Sequence, residues 1–169
     1  ELREKEIAEQ RIRRIALHDT LTGLPNRFAF NDRLDKYLHD ATLNGVKLAI
    51  LLFDFNRFKE VNDLFGHAAG DELLKSAAQR LQPILSEEDF VARLGGDEFV
   101  LIHRITDDDS AVRLACQIEE RLSQPVDPLG HIIEVGVSIG IARFPDHGSR
   151  REELLGNADL AMYRAKSGG

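Results

Sequence analysis

Two apolar runs, Phe90–Leu94 and Phe99–Ile102, stand on either side of Gly95-Gly96, and such a stretch reads as a β-hairpin. The spacing predicts a turn on Gly95-Gly96: a two-residue hairpin loop needs positive φ, which glycine reaches without a Cβ clash. The turn has no need of the two acids that follow it. Side chains alternate along a strand, so Asp97 and Glu98 are expected to leave on opposite faces, both at the hairpin mouth. Taken alone, the pair is equally well explained as solvated surface acids.

A second acidic strand end gives the pair a chemical reading. Leu48–Phe55 is an apolar run of strand length, long enough to be buried on both faces, with Asp54 at its end and Asn56-Arg57 opening a polar turn. If this strand lies beside the hairpin, Asp54 and Asp97 meet at one sheet edge. Converging carboxylates repel unless a cation sits between them. Hard oxygen donors of that kind suit Mg²⁺, which takes one or two carboxylates together with substrate phosphates.

Size and charge narrow the classes. A chain of 169 residues, 43% of them hydrophobic, can form one domain with a real core. A net charge of −7 argues against a nucleic-acid-binding surface, which needs a basic stripe, but leaves room for one nucleotide held by a few local cations. The single cysteine, Cys116, excludes an internal disulfide; its place in a helical pattern predicts a small buried apolar residue. No apolar stretch reaches membrane-spanning length and no signal-peptide pattern is present. The chain reads as a cytoplasmic module of a longer protein, which could itself be membrane-anchored.

Residues 1–17 form a charged helical pattern with a narrow apolar stripe, either a solvated lead-in or a coiled-coil linker helix from an upstream domain. Asn26 is placed to cap a helix over Arg27–Leu43, stopped by Asn44-Gly45. After the Asp54 strand come a short helix ending at Gly66 and a second helix entered near Gly70-Asp71, which runs to Leu81 before Pro83. Asn62 and Asp71 could face one pocket, where an amide and a carboxylate would suit the edge of guanine. Asp71 could equally be a simple helix-dipole partner, and His67 a structural histidine between glycines. Beyond the hairpin, Thr106-Asp107-Asp108 is read as the cap of a helix over Ser110–Leu122, Pro125–Gly130 as a loop, Ile132–Ala142 as a strand, and Arg151–Lys166 as the last helix. Helices interleaved with strands that cannot all pair as hairpins predict an α+β or α/β domain.

Several motifs in this order resemble the GGDEF-domain diguanylate cyclases over nearly the whole chain. They are Asp19-Thr20-Leu21-Thr22 through Asn26-Arg27; Asp54 through Phe58-Lys59 to Asn62-Asp63; Gly66-His67 with Gly70-Asp71; and Arg93-Leu94-Gly95-Gly96-Asp97-Glu98-Phe99. Val137–Ala142 and Ala158-Asp159 to Tyr163, with Ala165-Lys166, fit as well. The resemblance implies a GGDEF domain over residues 18–169 with a nucleotide-cyclase-like palm, α+β, in which helices surround a five-stranded, mainly antiparallel sheet. It implies a reaction, two GTP giving cyclic di-GMP and two pyrophosphates, carried out by a homodimer with Mg²⁺, two ions per site, or Mn²⁺. Asp54, Asp97 and the backbone carbonyl of Phe55 would hold the metal. Asp97 would also take the 3′-hydroxyl proton, with Lys59 and Glu98 as its catalytic companions. Asn62, His67 and Asp71 would bind the base, Gly95 and Gly96 would let the turn approach the nucleotide, and Lys166 would reach the phosphates.

The sequence departs from the family pattern at three places. Asn56 stands where a second acid is common. Ser86-Glu87-Glu88-Asp89 stands where many relatives carry Arg-x-x-Asp, so the bidentate grip of an arginine is missing and no product inhibition through this site is expected. The Arg-Asn pair that usually follows Lys166 lies outside this sequence. A second function therefore stands beside the first: a low-turnover GTP-binding module controlling an adjacent EAL-type phosphodiesterase domain.

Overall fold

All eight residues of β1, Leu48–Phe55, are buried, and this strand is the spine of the sheet. The structure, a computed structural model, describes residues 2–168. Its elements run α1 (Leu2–Leu17), α2 (Arg27–Asn44), β1, α3 (Phe58–Phe65), α4 (His67–Leu81), β2 (Phe90–Gly95), β3 (Glu98–Arg104), α5 (Ser110–Leu122), β4 (Val137–Phe144) and α6 (Arg151–Gly168). The strands form one antiparallel sheet in the order β2-β3-β1-β4, with β1 paired to β3 from Leu48↔Arg104 to Asp54↔Glu98 and to β4 from Leu48↔Phe144 to Phe55↔Val137.

The α+β class follows from what covers the two faces. Alternate residues of a strand point to opposite sides. Ile50 and Leu52 join Val100 and Ile102 against Phe30 and Leu34 of α2 and Leu154 and Met162 of α6. Leu51 and Phe53 join Phe99 and Leu101 against Leu73 and Leu74 of α4 and Ile118 of α5. Helices on both sides explain why β1 reads as an unbroken apolar run although its neighbours are antiparallel.

Local chemistry sets the helix ends. Asn26 Oδ1 accepts from the Ala29 N–H at 3.0 Å, and Gly45, at φ 67°, closes the other end of α2. Gly66, at φ 90°, separates α3 from α4, and α4 begins directly at His67 rather than near Gly70-Asp71. No carboxylate caps α5: Asp109 occupies the cap position without a side-chain bond, while Asp107 Oδ1 accepts from the Asp109 N–H.

Three further expectations are corrected. The sheet has four strands among the described residues, not five. The segment 132–136 is not part of the last strand, which starts at Val137; Ile133 instead makes a single bridge to Val126 across the 126–133 loop. Cys116 is exposed. It lies two residues from both Leu114 and Ile118, the buried stripe of α5, and so falls on the helix's outer side. On α1, Ile12 and Ile15 are 66% and 68% exposed. No helix of the described residues is long and apolar enough to cross a membrane.

One glycine fixes α6 on the sheet. A Cβ on Gly140 of β4 would collide with the backbone carbonyl of Ala158 and the backbone nitrogen of Met162. These are main-chain atoms of a packed helix and cannot swing aside. Gly140→Ala is expected to lower stability by about 1–3 kcal/mol or more, read from urea unfolding; unchanged stability would show that α6 is not seated so closely.

Candidate active site

The hairpin closes one residue later than its glycines suggest. Gly95 pairs with Glu98 after a register shift between Arg93 and Gly95, so the loop is Gly96-Asp97. Gly95 (φ 143°) absorbs the irregularity and Gly96 (φ 51°) takes the first loop position. Asp97 therefore stands in the turn, and the expected split of Asp97 and Glu98 to opposite faces of a strand does not arise. Glu98 opens β3 directly across from Asp54, so the two side chains share the α2/α6 face.

An arginine fixes the turn. Arg93 donates from Nε and Nη2 to the Gly96 carbonyl, at 3.0 and 2.7 Å, and from Nη1 to Asp19 Oδ1 at 2.8 Å. The other oxygen of Asp19 accepts from the Thr22 N–H and hydroxyl. The Asp19–Thr22 turn that follows α1 is thereby tied to the loop that carries Asp97.

Asp54 and Asp97 come together. Asp54 is buried, and Lys166 Nζ of α6 lies 2.7 Å from its Oδ1. That approach lacks the angles of a directed hydrogen bond, so Oδ1 is a buried acceptor held by an ion pair alone. Burial and then the charge of Asp54 push the Asp97 carboxyl above its usual value, against the pull of backbone hydrogen bonds from Asp97 itself and Phe55 and of the Lys166 charge. Glu98 is also raised, first by burial and then by Asp159, with Arg27 opposing and Asp54 and Asp97 adding to the rise. Among the described residues no three His, Cys, Asp or Glu side chains converge to hold a metal by themselves. Two carboxylates, one oxygen without a hydrogen bond and an ammonium already drawn to it fit Mg²⁺ of the kind completed by substrate phosphates.

The base-binding candidates are placed by α3 and α4. The Asn62 side chain lies over Gly70, where a Cβ would collide with its Oδ1 and sit 3.0 Å from its Cγ. Gly70 thus lets Asn62 pack beside the start of α4, next to Asp71. No hydrogen bond joins Asn62 to Asp71 or His67 among the described residues, and Asp71 and His67 are exposed on the first turns of α4. Lys59 is exposed on the first turn of α3. Phe55 ends β1 with its ring in the core.

A profile of the family described as "Diguanylate cyclase, GGDEF domain" matches residues 16–169. The chain belongs to the GGDEF family. It is 43% identical over 162 residues to the bifunctional diguanylate cyclase/cyclic di-GMP phosphodiesterase MucR of Pseudomonas aeruginosa, covering 96% of this chain and 24% of that protein. It is 45% identical over 153 residues to the diguanylate cyclase TpbB of the same species, covering 89% of this chain and 35% of TpbB. The solved structure of an N-terminally truncated TpbB comprising only the GGDEF domain superposes with a TM-score of 0.86 at 43% identity, covering 90% of each chain. The chain thus spans about a quarter to a third of the length of these two relatives.

Four residues of this GGDEF domain belong to the site without having been singled out for a role in it: Arg27, Arg93, Ser138 and Asp159. All four lie inside the motifs quoted above, but only strand register reveals that Ser138 faces Asp54. For Arg27 and Asp159 the signal is spatial, the meeting of the α2 start and α6 at Glu98.

At the position of the Arg-x-x-Asp site, Asp89 is turned inward. Its Oδ1 lies 2.8 Å from His103 Nδ1 and its Oδ2 accepts from the Ser86 N–H at 2.9 Å, while His103 Nε2 lies 3.0 Å from the Ser110 hydroxyl. Burial alone would raise the Asp89 carboxyl, but the hydrogen bonds and charge from His103 and Ser86 outweigh it and hold it below its usual 3.8. A depressed carboxyl stabilises the fold fully above its unfolded value and loses that contribution as pH falls through the folded one. Asp89→Asn is therefore expected to cost about 1–3 kcal/mol at neutral pH, and the deficit should shrink below the unfolded value of 3.8. Urea unfolding of both forms at several pH values checks this; equal stability at pH 7 would contradict it.

Proposed function

We propose that this domain is a diguanylate cyclase that condenses two GTP into cyclic di-GMP and two pyrophosphates, as one half of a Mg²⁺-dependent homodimer. The observation that carries this reading is the pairing of Asp54 and Asp97 around a buried oxygen that only an ammonium satisfies. Asp54, Asp97 and the Phe55 carbonyl would hold Mg²⁺, with Mn²⁺ as a substitute. When bound, the metal neutralises phosphate charge and polarises the reacting phosphoryl group.

In each half-reaction the 3′-oxygen of one GTP forms a bond to the α-phosphorus of the other, and the bond from that phosphorus to pyrophosphate breaks. Asp97, held in the turn beside Asp54, takes the 3′-hydroxyl proton as general base. Glu98, on the Asp54 face, adds negative charge that keeps the phosphates to the cationic side of the site. Lys59 and Lys166 stabilise the charge that develops on the phosphoryl oxygens. Asn62 and Asp71 select guanine, with His67 beside them, and the Gly95-Gly96 backbone lets the turn approach the nucleotide. One domain holds one GTP, so ring closure needs a second copy facing it. The inward engagement of both Asp89 oxygens supports the absence of product inhibition at that position.

A second reading is a GTP-binding module with little turnover that controls a neighbouring phosphodiesterase domain. Two relatives named only as cyclic di-GMP phosphodiesterases, NbdA of Pseudomonas aeruginosa at 37% identity and PdeR of Escherichia coli at 38%, support this reading.

The test is incubation of the full-length protein with GTP and Mg²⁺ and chromatography of the products. Cyclic di-GMP is expected, falling by roughly 100-fold or more in Asp97→Asn. Undiminished synthesis by Asp97→Asn would refute the site. GTP binding without cyclic product, even in an enforced dimer, would select the second reading.

A further inference from the structure

Asn56 lies two residues beyond Asp54 on the same side of the strand, where relatives often carry a second acid. Its backbone N–H donates to the Gly136 carbonyl at 2.8 Å, which extends the β1–β4 ladder by one more bond. Across that ladder Ser138 stands opposite Asp54 and diagonal to Asn56, and its buried hydroxyl donates to Asn56 Oδ1 at 2.6 Å. That length belongs to an O–H···O bond and is short for an amide donor, which fixes which end of the amide faces Ser138. Nδ2 is then turned the other way, over Gly136, where a Cβ would sit only 3.3 Å from it.

Two consequences follow for the amide. Its oxygen, the one atom able to ligate a metal, already accepts the Ser138 hydroxyl. Its NH₂ group has no hydrogen-bond partner among the described residues and lines a polar cleft with Arg57, Glu134, Gly136 and Lys166. Lys166 is the residue whose ammonium reaches Asp54, so this cleft opens beside the paired acids. Two donors, a lysine and an arginine against one exposed glutamate make a surface for an anion.

We propose that Asn56 is a phosphate-binding residue for the nucleotide, its NH₂ donating to phosphate oxygens, and that Ser138 is the positioning residue that holds the amide in this orientation. The inference rests on the cyclase reading of the neighbouring acids and adds a contact to it. It also gives the departure from the acidic pattern a chemical sense: an asparagine here exchanges a charge that would repel triphosphate for a donor that attracts it.

Asn56→Asp replaces Nδ2 by an oxygen and leaves the Ser138 bond intact, so the variant keeps its fold. Binding of GTP with Mg²⁺, and separately of guanosine, is measured calorimetrically for wild type, Asn56→Asp and Asn56→Ala. GTP affinity should fall about 10- to 100-fold in both variants, the range for a hydrogen bond to a charged group, with guanosine affinity unchanged. The alanine variant separates the lost donor from the added charge. Ser138→Ala should raise the KM for GTP with kcat largely kept, and Ser138→Thr, which retains the hydroxyl, should restore it. Unchanged GTP affinity in Asn56→Ala, or a lower Mg²⁺ requirement in Asn56→Asp, would overturn the proposal, the latter by showing a metal-ligand position. Wild type that binds no GTP would defeat the cyclase reading along with it, whereas wild-type binding with indifferent variants would defeat this inference alone.

Discussion

A carboxylate buried at the end of a fully buried strand is costly unless a cation meets it. Asp54 is that carboxylate. Its backbone is fixed on both sides by β3 and β4, so it cannot turn to solvent, and the ammonium of Lys166 comes to it from α6. The arrangement needs α6 seated tightly on β4, which Gly140 permits, and needs the Gly96-Asp97 loop held at the neighbouring strand end, which Arg93 secures. The core thus serves to bring an acid at a strand end and an acid in the hairpin turn to one edge and to keep them from moving apart.

Much of this was legible in the residues. The unbroken apolar run of β1 announced a strand covered on both faces, and Asp54 at its end announced a polar edge. Asn26 and Gly45 bounded α2 by side-chain and backbone chemistry that acts within a few residues. The features that escaped were those that depend on register or on distant contacts. Gly95-Gly96 looked like the hairpin loop because either glycine can take positive φ; the irregular pairing of Gly95 moved the loop to Gly96-Asp97. Gly136 divides an apolar stretch that reads as continuous strand, but its carbonyl binds Asn56 past the regular ladder, and the residues before it leave the sheet.

Positions near the site show how local changes are absorbed by the fold. Asp89, without an arginine three residues before it, is drawn into a chain with His103 and Ser110 that joins the start of β2 to β3 and α5. Arg93 connects the turn that carries Asp97 to Asp19, two residues beyond α1, so a displacement of α1 has a short, hydrogen-bonded route to the acids. In each case a side chain that could face a ligand is engaged by the protein itself.

Anomalous diffraction from crystals grown with Mn²⁺ and a non-hydrolysable GTP analogue would locate the metal directly. It should lie between the carboxylates of Asp54 and Asp97, with Lys166 withdrawn from Asp54 Oδ1 and turned to the phosphates. Manganese bound elsewhere, with the Lys166–Asp54 pair intact beside an ordered nucleotide, would show that the two acids are a structural ion-pair site and not a metal-triphosphate grip.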